Sequence, residues 1–188
     1  MIWSKMKQQL EGFLSPALVG RIEYRASGYR YLPDKSGRCY ITVDKKDVFN
    51  MCDSTKQFQW YESEQDIKND PKIQLPITVE EIEMAKKETL GKVPEDRLAV
   101  IIRNRKAATY AKEMMIAQGI LSKSDFFDVA NSFLSEPIEK SLESKEILIN
   151  VLALVDRRVG KKRILSMEES IKLRHPIVQY FYELRKRA

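Results

Sequence analysis

The stretch Ile147–Val155, Ile-Leu-Ile-Asn-Val-Leu-Ala-Leu-Val, carries an apolar side chain at every position except Asn150. A helix that is apolar all round cannot lie on a protein surface, because it has no face to give to water. It is also far shorter than the roughly 20 residues that span a bilayer. It must be wrapped by other elements of its own chain. The reading is therefore a helix from Ser144 to about Arg158 that forms the buried centre of a bundle. A chain of 188 residues is long enough to build that core without disulfides or metal, as one domain or two small ones.

The chain changes character near residue 75. Before it, Trp3, Met6, Leu10 and Phe13 mark one face of a helix that Pro16 stops. Two segments with a period of two follow, Arg21–Ala26 and Arg38–Asp44, the second with Cys39, Ile41 and Val43 as its inward set. That alternation predicts antiparallel strands with one buried face. Ser27-Gly28 and Pro33–Gly37 are turn sequences, a further strand is expected near Gln57–Tyr61, and Asp66–Pro76 reads as a linker. After it the signals are helical. Thr78 with Glu81 and Ser166 with Glu169 have capping-box spacing. Gly91 and Gly119 suit helix ends, Pro94 and Pro176 suit first turns, and Ser122 or Ser124 opens a helix to about Leu134. The expected fold class is α+β: an N-terminal helix plus small antiparallel sheet over 1–75, followed by a C-terminal helical bundle over 76–188.

Charge is concentrated at one end. From Arg157 to Ala188 ten Lys/Arg stand against three Glu, a balance of +7, while the preceding residues hold 23 basic and 24 acidic groups, −1. Such polarity is an argument about association with an acidic partner, not about fold. The polar N-terminus after Met1-Ile2-Trp3 has no apolar core of a signal peptide. The two cysteines, Cys39 and Cys52, read as thiols of a cytoplasmic protein rather than a disulfide framework. No membrane association is expected.

Catalytic signatures such as G-x-S-x-G, the phosphate-binding G-x-x-x-x-G-K-[ST] and H-E-x-x-H do not occur. Cys39, Cys52 and the single histidine, His175, are too few and too scattered for a zinc site, so neither metal nor cofactor is expected. Three groups of residues remain. Asp34, Asp44 and Lys46 resemble the outline of the PD-(D/E)xK nuclease motif, in which two carboxylates hold Mg²⁺ and a lysine assists the attacking water. The resemblance covers only this short stretch, and a plain hairpin is the favoured reading. Arg21, Arg25, Arg38 and Tyr40 are placed on the outward sheet face, where they offer phosphate pairing and base stacking or, more simply, pairing with Glu23 and its neighbours. Arg157, Arg158, Lys161, Lys162 and Arg163 form a cation cluster able to grip phosphate or an acidic protein surface. The competing structural reading puts Arg157 and Arg158 in the last turn of the central helix with Gly160 as its cap. A helix pair around Gly119 is rejected as a DNA reader because its second helix is acidic, with Asp125, Asp128 and Glu136.

Several stretches together resemble an uncharacterised family of small bacterial cytoplasmic proteins with no established activity. They are Trp3-Ser4; Pro16, Leu18, Gly20-Arg21 and Glu23-Tyr24; Tyr29-Arg30, Pro33-Asp34 and Ser36-Gly37-Arg38; Asp44-Lys45-Lys46; Asp156–Arg163; and His175-Pro176. The resemblance runs over nearly the whole chain and implies a soluble bacterial protein, with no functional residue to carry over. The expectation is a non-enzymatic protein that binds another macromolecule, foremost a protein with an acidic surface, an immunity-like neutraliser being one version. A nucleic-acid binder using the basic C-terminal region comes second, and a Mg-dependent nuclease third.

Overall fold

The computed structural model describes residues 2–31 and 35–188. The fold is α+β. Helix α1 (Trp3–Gly12) buries Met6 and Leu10 and is followed by a short 3-10 turn at Pro16–Leu18. Strands β1 (Ile22–Gly28), β2 (Gly37–Val43) and β3 (Lys46–Cys52) then form an antiparallel meander in the order β1-β2-β3. The register pairs Tyr24 with Ile41 and Ile41 with Phe49, so the inward set Ile22, Tyr24, Cys39, Ile41, Val43, Phe49 and Met51 lies on one buried face. Gly37 faces Gly28 across the β1–β2 pair, and a Cβ on it would lie 2.1 Å from the Ser27 carbonyl oxygen, so the close approach requires glycine. Asp44 and Lys45 both have positive φ and form the two-residue turn between β2 and β3, the combination whose twist matches a hairpin.

The third strand does not lie near Gln57–Tyr61, where it was expected. Gln57–Tyr61 belongs to helix α2 (Asp53–Asn69), and the strand is Lys46–Cys52. The Glu, Gln and Lys residues of this segment favour helix, and they prevail over the β-preference of three aromatics. The expected linker from Asp66 is likewise helical as far as Asn69.

Further helices are α3 (Val79–Glu88), α4 (Glu95–Ala117), α5 (Lys123–Ser135), α6 (Ile138–Glu143), α7 (Ile147–Val155), α8 (Lys161–Ser166), α9 (Glu168–Ile171) and α10 (Pro176–Arg187). The Thr78 capping box forms in full, with the Glu81 carboxylate accepting the Thr78 N–H at 2.8 Å and Thr78 Oγ1 accepting the Glu81 N–H. Ser122 makes the same arrangement with Asp125 at the start of α5. The second expected box does not form. Ser166 is the last residue of α8, and its hydroxyl donates back to the Arg163 carbonyl instead.

The chain forms two compact units, residues 1–56 with 116–188, and residues 57–115. Residue 75 lies inside the second unit. In the first unit, α7 is the centre: Leu148–Val155 are all buried, and α5, α6 and α10 pack around it. Asn150 is tolerated there because every polar atom is used. Its Nδ2 donates to the Ser144 and Glu146 carbonyls, and its Oδ1 accepts from Arg174 at 2.8 Å. The second unit has its own small cores, Ile67 with Ala107 and Ala111, and Ala85 with Leu98 and Ile102.

Within the first unit, the points where residues 57–115 leave and return are tied together. Asp53 accepts the Gly37 and Lys123 N–H groups with its two oxygens. The Cys52 N–H donates to the Leu121 carbonyl, and Lys56 pairs with Asp125 at 2.5 Å. Burial alone would raise the Asp125 carboxyl, but Lys56 and Ser122 hold it below its ordinary range.

Candidate binding surface

The central helix stops at Val155, earlier than the sequence suggested. Asp156 turns extended and pairs with Leu14 in an isolated antiparallel bridge. The Ser15 N–H donates to the Val155 carbonyl at 2.9 Å, and the Arg157 N–H donates to the Phe13 carbonyl at 2.7 Å. The exit of α1 thus occupies the end of α7 that Arg157 and Arg158 were expected to complement. Gly160 is not a cap of α7 but the residue that opens α8.

The ten basic residues of this end separate into two sets. Six are engaged internally. Arg158 lies along the buried Asp156 carboxylate with contacts of 2.8–3.1 Å and stacks on Phe13 at 4.2 Å. Arg174 donates to the Ser144 carbonyl and Asn150. Arg185 donates to the Val159 carbonyl, and burial lowers its pKa against the opposing field of Asp156. Lys172 pairs with Glu169, Lys186 with Glu168, and Arg187 with Glu183.

The other four, Arg157, Lys161, Lys162 and Arg163, are exposed and make no ion pair among the described residues. Arg157 only approaches the Phe13 ring, at 5.9 Å. Lys161, Lys162 and Arg163 open α8. Lys161 and Lys162 there face the positive end of this short helix's dipole, an unfavourable placement, whereas Arg163 already lies in its last turn, where a cation is favourable.

On the sheet, Arg21, Arg25 and Arg38 are all matched by acids. Arg21 holds Asp44 through two hydrogen bonds of 3.0 and 2.8 Å, Arg25 holds Glu23 at 2.7 Å, and Arg38 approaches Asp47 at 3.6 Å. The Arg38 guanidinium also lies 4.4 Å over the Tyr40 ring. This face offers neutralised pairs rather than free cations. Asp44, one of the nuclease-like positions, sits in the β2–β3 turn. Its hydrogen bonds to Arg21 keep the carboxyl below its usual range. Lys46 follows as the first residue of β3, and Asp34 lies outside the described residues. No group of three or more His, Cys, Asp or Glu able to hold a metal occurs among the described residues.

Cys39 and Cys52 are free thiols in distinct settings. Cys39 pairs with Met51 on the buried face, whereas Cys52 pairs with Arg38 on the opposite one. Burial pushes the Cys39 thiol up to about 12. At Cys52 burial also acts upward, but hydrogen bonds from Ser54, Thr55 and Tyr29 outweigh it and bring the thiol to about 6. The Tyr29 hydroxyl is 3.2 Å from its sulfur. Sequence reasoning passed over this residue because its partners are distant in the chain or hidden at a strand–helix junction. His175 is a helix cap: its Nδ1 accepts the Ile177 N–H at the start of α10.

The SF0329 protein family matches residues 2–186, and the chain belongs to that family. No curated protein and no solved structure matches the chain. No helix among the described residues is long and apolar enough to cross a membrane.

Proposed function

We propose that this chain is a cytoplasmic binding protein whose partner is a protein with an acidic surface, held through Arg157, Lys161, Lys162 and Arg163. An immunity-like neutraliser is one form such a binder takes. The observation that carries the reading is the sorting of the basic end. Six cations are used within the chain, while these four are exposed, unpaired among the described residues, and two of them, Lys161 and Lys162, oppose their own helix. A local electrostatic cost without a compensating internal contact is the pattern expected of residues kept for an external ligand. A protein is favoured over nucleic acid because the sheet-face arginines, the other cations offered for phosphate pairing, already have carboxylate partners.

The test is capture from native lysate by the wild type and by a Lys161→Glu, Lys162→Glu, Arg163→Glu variant, with and without nuclease, read by mass spectrometry. An acidic protein retained by the wild type after nuclease treatment, and lost by the variant, is the expected result. Retention that disappears with nuclease would replace the protein partner with nucleic acid. Equal capture by wild type and variant would remove the cluster from binding altogether.

A further inference from the structure

Residues 57–115 carry a second surface of different chemistry. Eight of the fifteen exposed large apolar side chains among the described residues fall in this unit, less than a third of the chain. Between α3 and α4 lies an apolar groove of about 520 Å³, within the range of roughly 300–1,000 Å³ that ligand-binding pockets occupy. Ala85 and Ile102 lie within it, and Met84 and Tyr110 line it while remaining exposed. Its walls are fixed without any ligand. Lys106 bridges Glu81 and the Pro76 carbonyl, and Arg105 pairs with Glu88 at 2.6 Å. Both cations of the lining are thereby spent, and Glu113 is left as the one lining charge with no ion pair among the described residues.

We propose that this groove docks an amphipathic helix of another protein, with apolar anchors entering the groove and a lysine or arginine beside them meeting Glu113. The α4 wall from Ile102 to Glu113 runs for about three turns, roughly 16 Å at 1.5 Å per residue. That length receives anchors spaced i, i+4 and i+7, the usual pattern of a helix laid in a groove. The residual negative charge selects a basic helix over an acidic one, the opposite preference to that of the cation cluster on the first unit. The inference concerns a separate surface and does not rest on the function proposed above.

The probe is a fluorescein-labelled Leu/Lys helix of about four turns, with leucines on one face, titrated with full-length protein at physiological salt and read by anisotropy. The same peptide with Glu in place of Lys is its counterpart. The Lys peptide is expected to bind. Met84→Asp should weaken it about tenfold or more, as loss of a central apolar contact does, and Glu113→Lys should weaken it severalfold. Leu90→Asn changes an exposed apolar residue outside the groove, in a left-handed conformation that Asn accepts, and should leave affinity unchanged. Circular dichroism and melting curves confirm that each variant is folded. The Lys peptide cannot owe its binding to Lys161–Arg163, which repel it, so failure here leaves the cation-cluster reading untouched. No binding of the Lys peptide, equal weakening by Leu90→Asn and Met84→Asp, or stronger groove-dependent binding of the Glu peptide would each overturn the proposal. A concentration-dependent dimer dissolved by Met84→Asp would do the same, by showing a second copy in the groove.

Discussion

Asp156→Ala tests the division of the basic end into structural and free cations. The Asp156 side chain is 1% exposed and its partner Arg158 30%. The carboxylate accepts the Arg158 N–H at 2.7 Å as well as three guanidinium contacts. Removing one partner of a fully buried pair costs about 3–5 kcal/mol, while an exposed pair contributes about 0–1. Arg158 keeps partial access to water when stranded, so the expected loss is about 2–3 kcal/mol. At roughly 2–4 °C per kcal/mol for a chain of this size, that is a fall of about 4–12 °C in melting temperature. Trp3 packs against Phe126 and Phe127 in the first unit, so its fluorescence in a Trp60→Phe background reports the unit concerned. The neighbouring Arg157→Ala, which removes no ion pair among the described residues, should cost less than about 0.5 kcal/mol. A melting temperature for Asp156→Ala within about 2 °C of the parent would refute the claim that Arg158 is committed to the fold.

Leu152→Ala, at a 1% exposed position of α7, should cost about 2–5 kcal/mol, measured by urea unfolding of the same Trp3 signal. Lys45→Gly should stabilise by about 0.5–1 kcal/mol, since φ is 68° there and the left-handed penalty exceeds the added freedom of an unfolded glycine; a lower melting temperature would contradict the turn geometry. Iodoacetamide should alkylate Cys52 at a rate that climbs as pH rises through about 6, where the thiolate forms, with Cys39 inert in the folded protein. Tyr29→Phe, which removes a hydroxyl 3.2 Å from the sulfur, should move that profile to higher pH, and an unmoved profile would remove Tyr29 from the site.

The parts of this fold that were legible in the sequence are those set by local chemistry. The Thr78–Glu81 box, Ser122 or Ser124 before α5 (Ser122 in the structure), Pro176 opening α10 and the alternation in Arg38–Asp44 depend on residues within a few positions of one another, and each appears in the structure. The all-apolar Ile147–Val155 was legible for the same reason. The boundary at Val155 was not, because it is set by Phe13, Leu14 and Ser15 taking the backbone groups that a longer helix would use. Arg158 could not be separated from Arg157 by composition either. The difference is a carboxylate two residues away whose burial depends on the whole unit. Cys52 is the same case, its thiol set by Tyr29 from β1's far end and by the start of α2.

Helix α4 carries no single apolar stripe. Leu98 and Ile102 face the cluster containing Ala85, whereas Ala107 and Ala111 face Ile67. The step from 102 to 107 is five residues, and at 3.6 residues per turn it swings the buried side through roughly 140°. A helix that serves two small cores in succession spreads its apolar residues around the axis, and a single-face pattern is lost even though each half has one. The alanines at 107 and 111, one turn apart and fully buried, leave little side-chain volume in the cluster they share with Ile67, so that core stays small. The first unit faces the opposite balance, closing its core around α7 and tying off the inserted segment with Asp53, Lys56, Lys123 and Asp125. Its spare surface is charge instead. Residues 57–115 thus leave an apolar groove open, while the first unit leaves Arg157, Lys161, Lys162 and Arg163 exposed.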